Sequence, residues 1–522
     1  MRYWILCFFA FAACGLRAQN FYDINAIREV KIQFEDNDWD KKLVSLRNTK
    51  KKSRLTGNIT IDGKKYEQVG VRYKGNSSYN ATRKEEKAKL PLNVESDYKL
   101  KKQDFGDKIE TLKLSNMFRD PSYIREVLAY WLANQLMVSP SANFAKVTVN
   151  KTYLGVYTST ESIDSRFLKN KFGDKNGIFF KCDPDWDSPT LKHCPKGDKA
   201  SLMWQGPDSA CYNGTYELKN KSGYKELLNL ISILDKNPSN ASEVLDVDKT
   251  LWMHAFNHVI VNLDSYTGSL SHNYYLYRDS SNVFVPLLWD LNLAFGGFRL
   301  DGKKNLTDIE LFEYPLLSHS EDPSRPLISK LLSIPLYKKI YLAHCRYIYE
   351  NFLVNDKLEK EAERLSSFIE PDVKKDVNNL YSFNDFKQNL DKKVSIKNVP
   401  IVGVTELIRA RKAYLQNFYS GIPKLKIDSV FYKQDSTGYN IYVKTEETAK
   451  PFLFYKNEQH TRYNSVQMQE DKNLSDTLGG KCFVFHLPAS EKTYYYVVLE
   501  SEKVAQVFPA RASNEPLKIP EK

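Results

Sequence analysis

The chain has 522 residues and a formal charge of +12, from 76 Lys and Arg against 64 Asp and Glu, and is 42% hydrophobic and 13% aromatic. That apolar content can bury a large core and predicts two or more domains. The interspersed charges read as a solvated surface, and no zinc-finger, RNA-recognition or helix-turn-helix pattern occurs, so no nucleic acid is expected as a partner.

Met1-Arg2, an apolar run over residues 3–14 and Leu16-Arg17-Ala18 before Gln19 predict a signal peptide over residues 1–18 and an exported protein starting at Gln19. Phe11-Ala12-Ala13-Cys14-Gly15 is also a loose lipobox, which would place a lipid anchor on Cys14. No later stretch approaches the roughly 20 apolar residues that cross a bilayer, so no transmembrane helix is expected. Past the leader stand Cys182, Cys194, Cys211, Cys345 and Cys482. An odd count cannot all pair, and one bridge among the first three suits an oxidising compartment. A zinc set from those three with His193 lacks a paired short-spacing motif.

Alternation predicts a strand over 30–34 and a hairpin of 58–61 with 66–73, turned at Asp62-Gly63. The hairpin runs into Val71-Arg72-Tyr73-Lys74-Gly75-Asn76-Ser77-Ser78, whose two cations and small residues can cradle phosphate or form a plain β-turn. A mixed charge run, 84–89, precedes a strand at 90–94. Asp120-Pro121 has the chemistry of a helix start, with Ile124, Val127, Leu128, Trp131, Leu132 and Leu136 as the apolar face. Glu126 falls off that stripe, free to pair with a cation. A second hairpin spans 145–149 and 153–158, and the loop-rich stretch 181–214, with Asp183, Asp185 and Asp187, reads as an insertion that does not complete a calcium loop.

Helices are expected over 224–234 and 248–262. Residues 257–297 then read as a helix end, a polar loop and a hairpin, bringing Asp264, Asn273, Asp290 and Asn292 to loop positions. Such residues suit an oxygen-seeking cation held against phosphates, although Asp and Asn are also ordinary turn and cap residues. Helices resume over 326–420. After Gly421-Ile422-Pro423 the pattern changes to short β runs, which predicts a small sandwich.

The ordered segments VRYKGNSS, LKLSNMFRDPSYIREVLAYWLANQL, TYLGVYTSTESID, LDSYTGSLSHNYYLYRD, FVPLLWDLNLAFGG and RPLISKLLSIPLY closely resemble the CotH kinase family over roughly residues 27 to 420. The resemblance implies an α+β, atypical protein-kinase-like bilobal fold over 19–423, followed by a β-sandwich-like domain over 424–522. It also implies a secreted kinase that transfers a phosphoryl group from ATP, with Mg²⁺ or Mn²⁺, to Ser or Thr of proteins. Other members are adhesins or invasins, so the alternative is a noncatalytic surface protein that binds through the fold and its C-terminal β-domain. Carried over by position, Asp264 resembles the catalytic-loop aspartate, Asn273 its metal-binding companion and Asp290 the aspartate that holds Mg²⁺ against the phosphates. Lys89 and Glu126 stand where the nucleotide-positioning ion pair is expected, with Arg72 or Lys74 as rival cations. The chain departs from the family twice. Asn93 replaces a usual cation, and Asn292 replaces the second acid of the WD-x-D-x-x-FG segment, offering an amide oxygen without charge.

Overall fold

The computed structural model describes residues 20–519 except 50–52, 86–88, 186–190, 195–198, 458–461 and 489–491. The expected leader, Cys14, the Gln19 start and Asp187 lie outside the described residues. The protein is α+β, as the family resemblance implies.

Seven strands near the N-terminus close into a barrel: β1 (Ile27–Gln33), β2 (Leu55–Ile61), β3 (Lys64–Tyr73), β4 (Leu92–Glu95), β5 (Thr111–Ser115), β6 (Ala142–Val149) and β7 (Thr152–Thr160). The order around the wall is β1-β2-β3-β4-β5-β7-β6, closed by parallel pairing of β6 with β1, Val30 opposite Val147. Period-2 alternation turns Val30, Ile32, Val71, Val94, Leu112 and Leu114 into the barrel, where they are buried. Asp62 and Gly63 both take positive φ, 49° and 84°, which is the geometry a two-residue hairpin needs between right-twisted strands.

The helix after β5 runs Arg125–Leu136, four residues later than Asp120-Pro121 suggests. The Asp120 carboxylate reaches forward to accept the Arg125 backbone N–H at 2.9 Å and the Arg125 guanidinium at 2.6 Å. The intervening turn, with Tyr123 at φ 63°, is held by this network. Tertiary contacts override the local start signal.

A four-stranded antiparallel sheet follows, ordered β11-β10-β8-β9 and built from β8 (Ile178–Cys182), β9 (Tyr216–Leu218), β10 (Tyr274–Arg278) and β11 (Phe284–Leu288). Helices Tyr224–Lys236, Val247–Val259, Pro326–Leu332, Pro335–Ile348, Lys357–Lys374 and Val404–Tyr419 pack about it in the largest core. Cys194 and Cys211 form a disulfide in the 183–215 stretch, while Cys182, Cys345 and Cys482 are buried free thiols.

Beyond residue 423, two sheets face each other across Ile441, Val443, Leu453 and Val497. The opposite face of one sheet, with Tyr496, Val498, Ala505 and Val507, belongs to the main core. Polar ties reinforce the seam: Lys339 pairs with Glu500 at 2.8 Å, and the Asn514 amide donates to the Leu136 carbonyl at 2.8 Å.

Candidate active site

A cleft of about 500 Å³ lies between the outer wall of the barrel and the turns that flank β8, β10 and β11. Strand register builds its first wall. Arg72 on β3, Asn93 on β4, Lys113 on β5 and Thr160 on β7 are successive cross-strand partners, and all four line the cleft. Lys74, just past β3, donates to the Ser115 hydroxyl at 2.8 Å. Arg47 and Arg119 complete a cationic side.

These cations are poorly compensated. Among the described residues, no carboxylate pairs with Arg47, Arg72, Lys74, Lys113 or Arg119. The Arg72 Nε is buried with no hydrogen-bond partner, and burial together with Arg54 and Arg47 brings that guanidinium down to about 10. Burial, then the nearby Lys74 charge, pushes the Lys113 ammonium down to about 7. Glu126 projects from the Arg125–Leu136 helix onto this wall and accepts the Thr160 hydroxyl at 2.6 Å. Burial raises its carboxyl to about 7, against the opposing pull of Lys74.

The second wall is acidic. Asp264 sits in the loop after helix Val247–Val259, a loop held by the Asn262 amide on the Asn257 side chain at 2.9 Å and the Ser265 hydroxyl on the Asn262 carbonyl at 2.6 Å. Its Oδ1 meets His272 Nε2 at 2.9 Å, while His272 Nδ1 faces Asp183 at 3.4 Å. Burial disfavours a charged imidazole, yet hydrogen bonds to Asp183 and Asp264 outweigh it and push His272 up to about 9. Burial likewise works to raise Asp183, but His272 and Lys181 bring it down to about 2. One imidazolium therefore bridges two carboxylates.

Asn273 and Asp290 both occupy left-handed backbone, at φ 58° and 55°, which β-carbon sterics disfavour and which recurs where a fold over-determines a working residue. The Asn273 side-chain amide donates to the Asp264 backbone carbonyl at 2.9 Å, and the Asn273 backbone carbonyl accepts the Trp289 N–H at 3.1 Å. The Asp290 N–H is held by the Tyr130 hydroxyl at 3.1 Å. Among the described residues its carboxylate accepts no hydrogen bond, and burial raises its pKa, with Lys74 opposing and Asp264 and Asp183 adding to the rise. Asn292, in the short helical turn Leu291–Leu293, also faces the cleft.

The donor set suits a divalent cation in part. Asp290 offers an uncommitted carboxylate, and Asn273 and Asn292 offer hard amide oxygens, the ligand type Mg²⁺ takes alongside substrate phosphates. Asp183, Asp264 and Asp290 do not draw three ligand atoms within 4.8 Å of one another among the described residues. A cation there would be completed by ligand or solvent oxygens.

Of the residues singled out from sequence, Arg72, Lys74, Glu126, Asp264, Asn273, Asp290 and Asn292 share this cleft. Lys89 does not. Its side chain is wholly buried and pairs with Asp376 at 2.5 Å, so the expected Lys89–Glu126 ion pair is absent. Lys74 is the cation whose charge acts most on both Glu126 and Asp290. Several members of the cleft are not singled out from sequence, Arg47, Arg119 and Thr160 among them. Asp183 lies in the stretch that reads as an insertion, His272 stands beside Asn273 with no role of its own implied by the resemblance, and the one available signal is at Lys113, where a lone cation between Leu112 and Leu114 marks an outward strand position.

Fold and cleft together define an α+β protein whose barrel and helical body enclose a charge-segregated site. Residues 71–415 match the CotH kinase protein family, and the chain belongs to it. It is also similar to the inner spore coat protein H of Bacillus subtilis (strain 168), 30% identical over 198 residues that cover 35% of this chain and 50% of the relative. The chain thus spans about half the length of that curated relative. No helix among the described residues is long and apolar enough to cross a membrane.

Proposed function

We propose that the chain is an exported kinase that transfers the terminal phosphoryl group of ATP to Ser or Thr hydroxyls of proteins. The observation that carries this reading is the cleft's charge pattern: cations on the barrel wall face the Asp290 carboxylate, neither side holding an ion-pair partner among the described residues, which fits a polyanion and a divalent cation bound side by side. In this reading the barrel and the helical body act as the two lobes of a kinase-like fold. The relative's name places that protein in the inner spore coat, and a surface or coat assembly is the setting we propose for this chain.

Arg72 and Lys74 bind phosphoryl oxygens, with the Ser115 hydroxyl keeping Lys74 in place and Glu126 adding its charge nearby. Asp290, Asn273 and Asn292 hold Mg²⁺ or Mn²⁺, which when bound neutralises phosphate charge. Asp264 orients the acceptor hydroxyl and takes its proton as the oxygen attacks the terminal phosphorus and ADP leaves. Its Oδ1 is fixed by His272, which leaves Oδ2 for the acceptor. Rate enhancement then comes from positioning and electrostatics rather than from a covalent intermediate.

The second reading is a noncatalytic surface protein that keeps the fold, and the observation favouring it is Asn292, an uncharged residue beside the metal position. Incubating purified protein and candidate coat or surface proteins with labelled ATP and Mg²⁺ or Mn²⁺, then mapping modified residues by mass spectrometry, separates the two. Phosphoserine or phosphothreonine that vanishes in Asp264→Asn supports the kinase. Nucleotide binding without any transfer supports the surface protein.

A further inference from the structure

Lys113 has an unusual setting. Leu112 and Leu114 on either side are wholly buried inside the barrel, so strand alternation turns Lys113 outward onto the cleft. The side chain is mostly enclosed, and its ammonium lies 3.9 Å from the centre of the Trp289 ring, on the residue that precedes Asp290. Among the described residues it has no carboxylate partner and makes no hydrogen bond. Its register neighbours, Asn93 and Thr160, are neutral, and Lys74 adds like charge nearby.

An enclosed ammonium held against a ring face, with Asp164 and Asp290 acting on it only from beyond ion-pair contact, is costly to keep, because desolvation penalises the charge and a cation–π contact returns part of that loss. The penalty makes sense where a ligand supplies the missing counter-charge. We propose that Lys113 is an anion-contacting residue of this cleft, donating to phosphoryl oxygens of the bound nucleotide beside the Trp289–Asp290 turn, in the place where its strand partner Asn93 offers no charge. This rests on the nucleotide reading above. The ligand is then the counter-ion, and the cleft is strained when empty and relaxed when filled.

The test uses the full chain with Lys113→Met, Lys113→Gln and Lys113→Arg, titrated calorimetrically with Mg-ATP and, separately, with inorganic tripolyphosphate. Losing a charge-assisted hydrogen bond to phosphate should weaken both ligands by about tenfold to a hundredfold in the Met and Gln variants, while Arg stays within a few-fold of wild type. Without ligand, the thermal midpoints of the Met and Gln variants should equal or exceed wild type, because an uncompensated charge has been removed. A purely structural lysine would give the opposite shift. Wild-type affinity in the Met and Gln variants, or a lower unliganded midpoint in both, overturns the role of Lys113 and leaves the nucleotide reading standing. Failure of the wild-type protein to bind either ligand overturns both.

Discussion

Replacing Lys89 by Met tests whether this residue belongs to the fold or to the site. Lys89 stands just before β4, and Asp376 follows helix Lys357–Lys374, 287 residues later. Both side chains are 0% exposed. Asp376 also accepts the Val156 N–H at 3.2 Å and the Asn378 N–H at 3.0 Å. It is seated so closely on β7 that a Cβ at Gly155, itself at φ 101°, would fall 1.9 Å from its Oδ2. Burial lowers the Lys89 pKa and Asp376 opposes the shift; the pair is a buried lock between barrel and helices. Lys89→Met leaves a buried carboxylate with only backbone N–H partners, and breaking such a pair costs about 3–5 kcal/mol. Adding Asp376→Asn removes the orphaned charge without adding bulk against Gly155, and should restore stability to within about 1–2 kcal/mol, since uncharged replacement of a buried pair is often close to neutral. Urea unfolding at pH 7 measures both differences, and calorimetry on the folded variants should show unchanged Mg-ATP affinity. An unaltered unfolding midpoint in Lys89→Met, combined with lost nucleotide binding, would refute the reasoning and return Lys89 to the cleft.

Asp290→Ala should abolish metal-dependent nucleotide binding while its unliganded unfolding midpoint stays at or above wild type, because the buried carboxylate has a raised pKa; unchanged binding in calorimetry would remove Asp290 from the site. Asn292→Asp should raise Mn²⁺ affinity by roughly tenfold to a hundredfold, the worth of one close charge contact, and an unchanged titration would count against the metal position. Glu126, raised from 4.5 to about 7, binds more protons folded than unfolded between those values, so stability falls as pH rises through that window and the loss is complete above about 7. Glu126→Gln should therefore flatten the pH 5 to 8 dependence of the urea midpoint by up to about 3 kcal/mol, and an equally steep profile would contradict the shift. A chain ending at Pro423 bares the main-core face that Tyr496, Val498, Ala505 and Val507 cover, so it should melt lower and bind a hydrophobic dye; an unchanged melting curve would show that the seam contributes nothing.

Local chemistry was readable wherever neighbours in sequence are neighbours in space. The Asp62-Gly63 hairpin follows from turn preference and β-branched flanks, and the runs after Gly421 announce most of the C-terminal strands. Closure of the barrel does not follow in the same way, because β1 pairs in parallel with β6 across more than a hundred intervening residues and no local pattern encodes that contact. The helix after Asp120 illustrates the same limit. Its cap chemistry is present in the sequence, but the Arg125 guanidinium also meets Asn389 at 2.9 Å and the Val402 carbonyl at 2.5 Å, and that long-range network decides where the helix begins.

The site divides along the same line. Position along loops and strands sufficed to bring Asp264, Asn273, Asp290 and Asn292 under suspicion, whereas the choice between Lys89 and Lys74 depended on Asp376, far away in the chain. The electrostatic balance was equally hidden, since it turns on His272 bridging Asp183 and Asp264. That bridge gives Asn292 a physical meaning. With Asp183 and Asp264 already raising the Asp290 pKa, another carboxylate at 292 would raise it further and destabilise the cleft before any cation arrives. An amide supplies a ligand oxygen without that repulsion. The same logic requires that Asn292→Asp be less stable than wild type without metal and gain more from Mn²⁺, so the two proteins should converge in stability as the cation is added. A variant that is equally stable without metal would mean that residue 292 lies outside the field of Asp290.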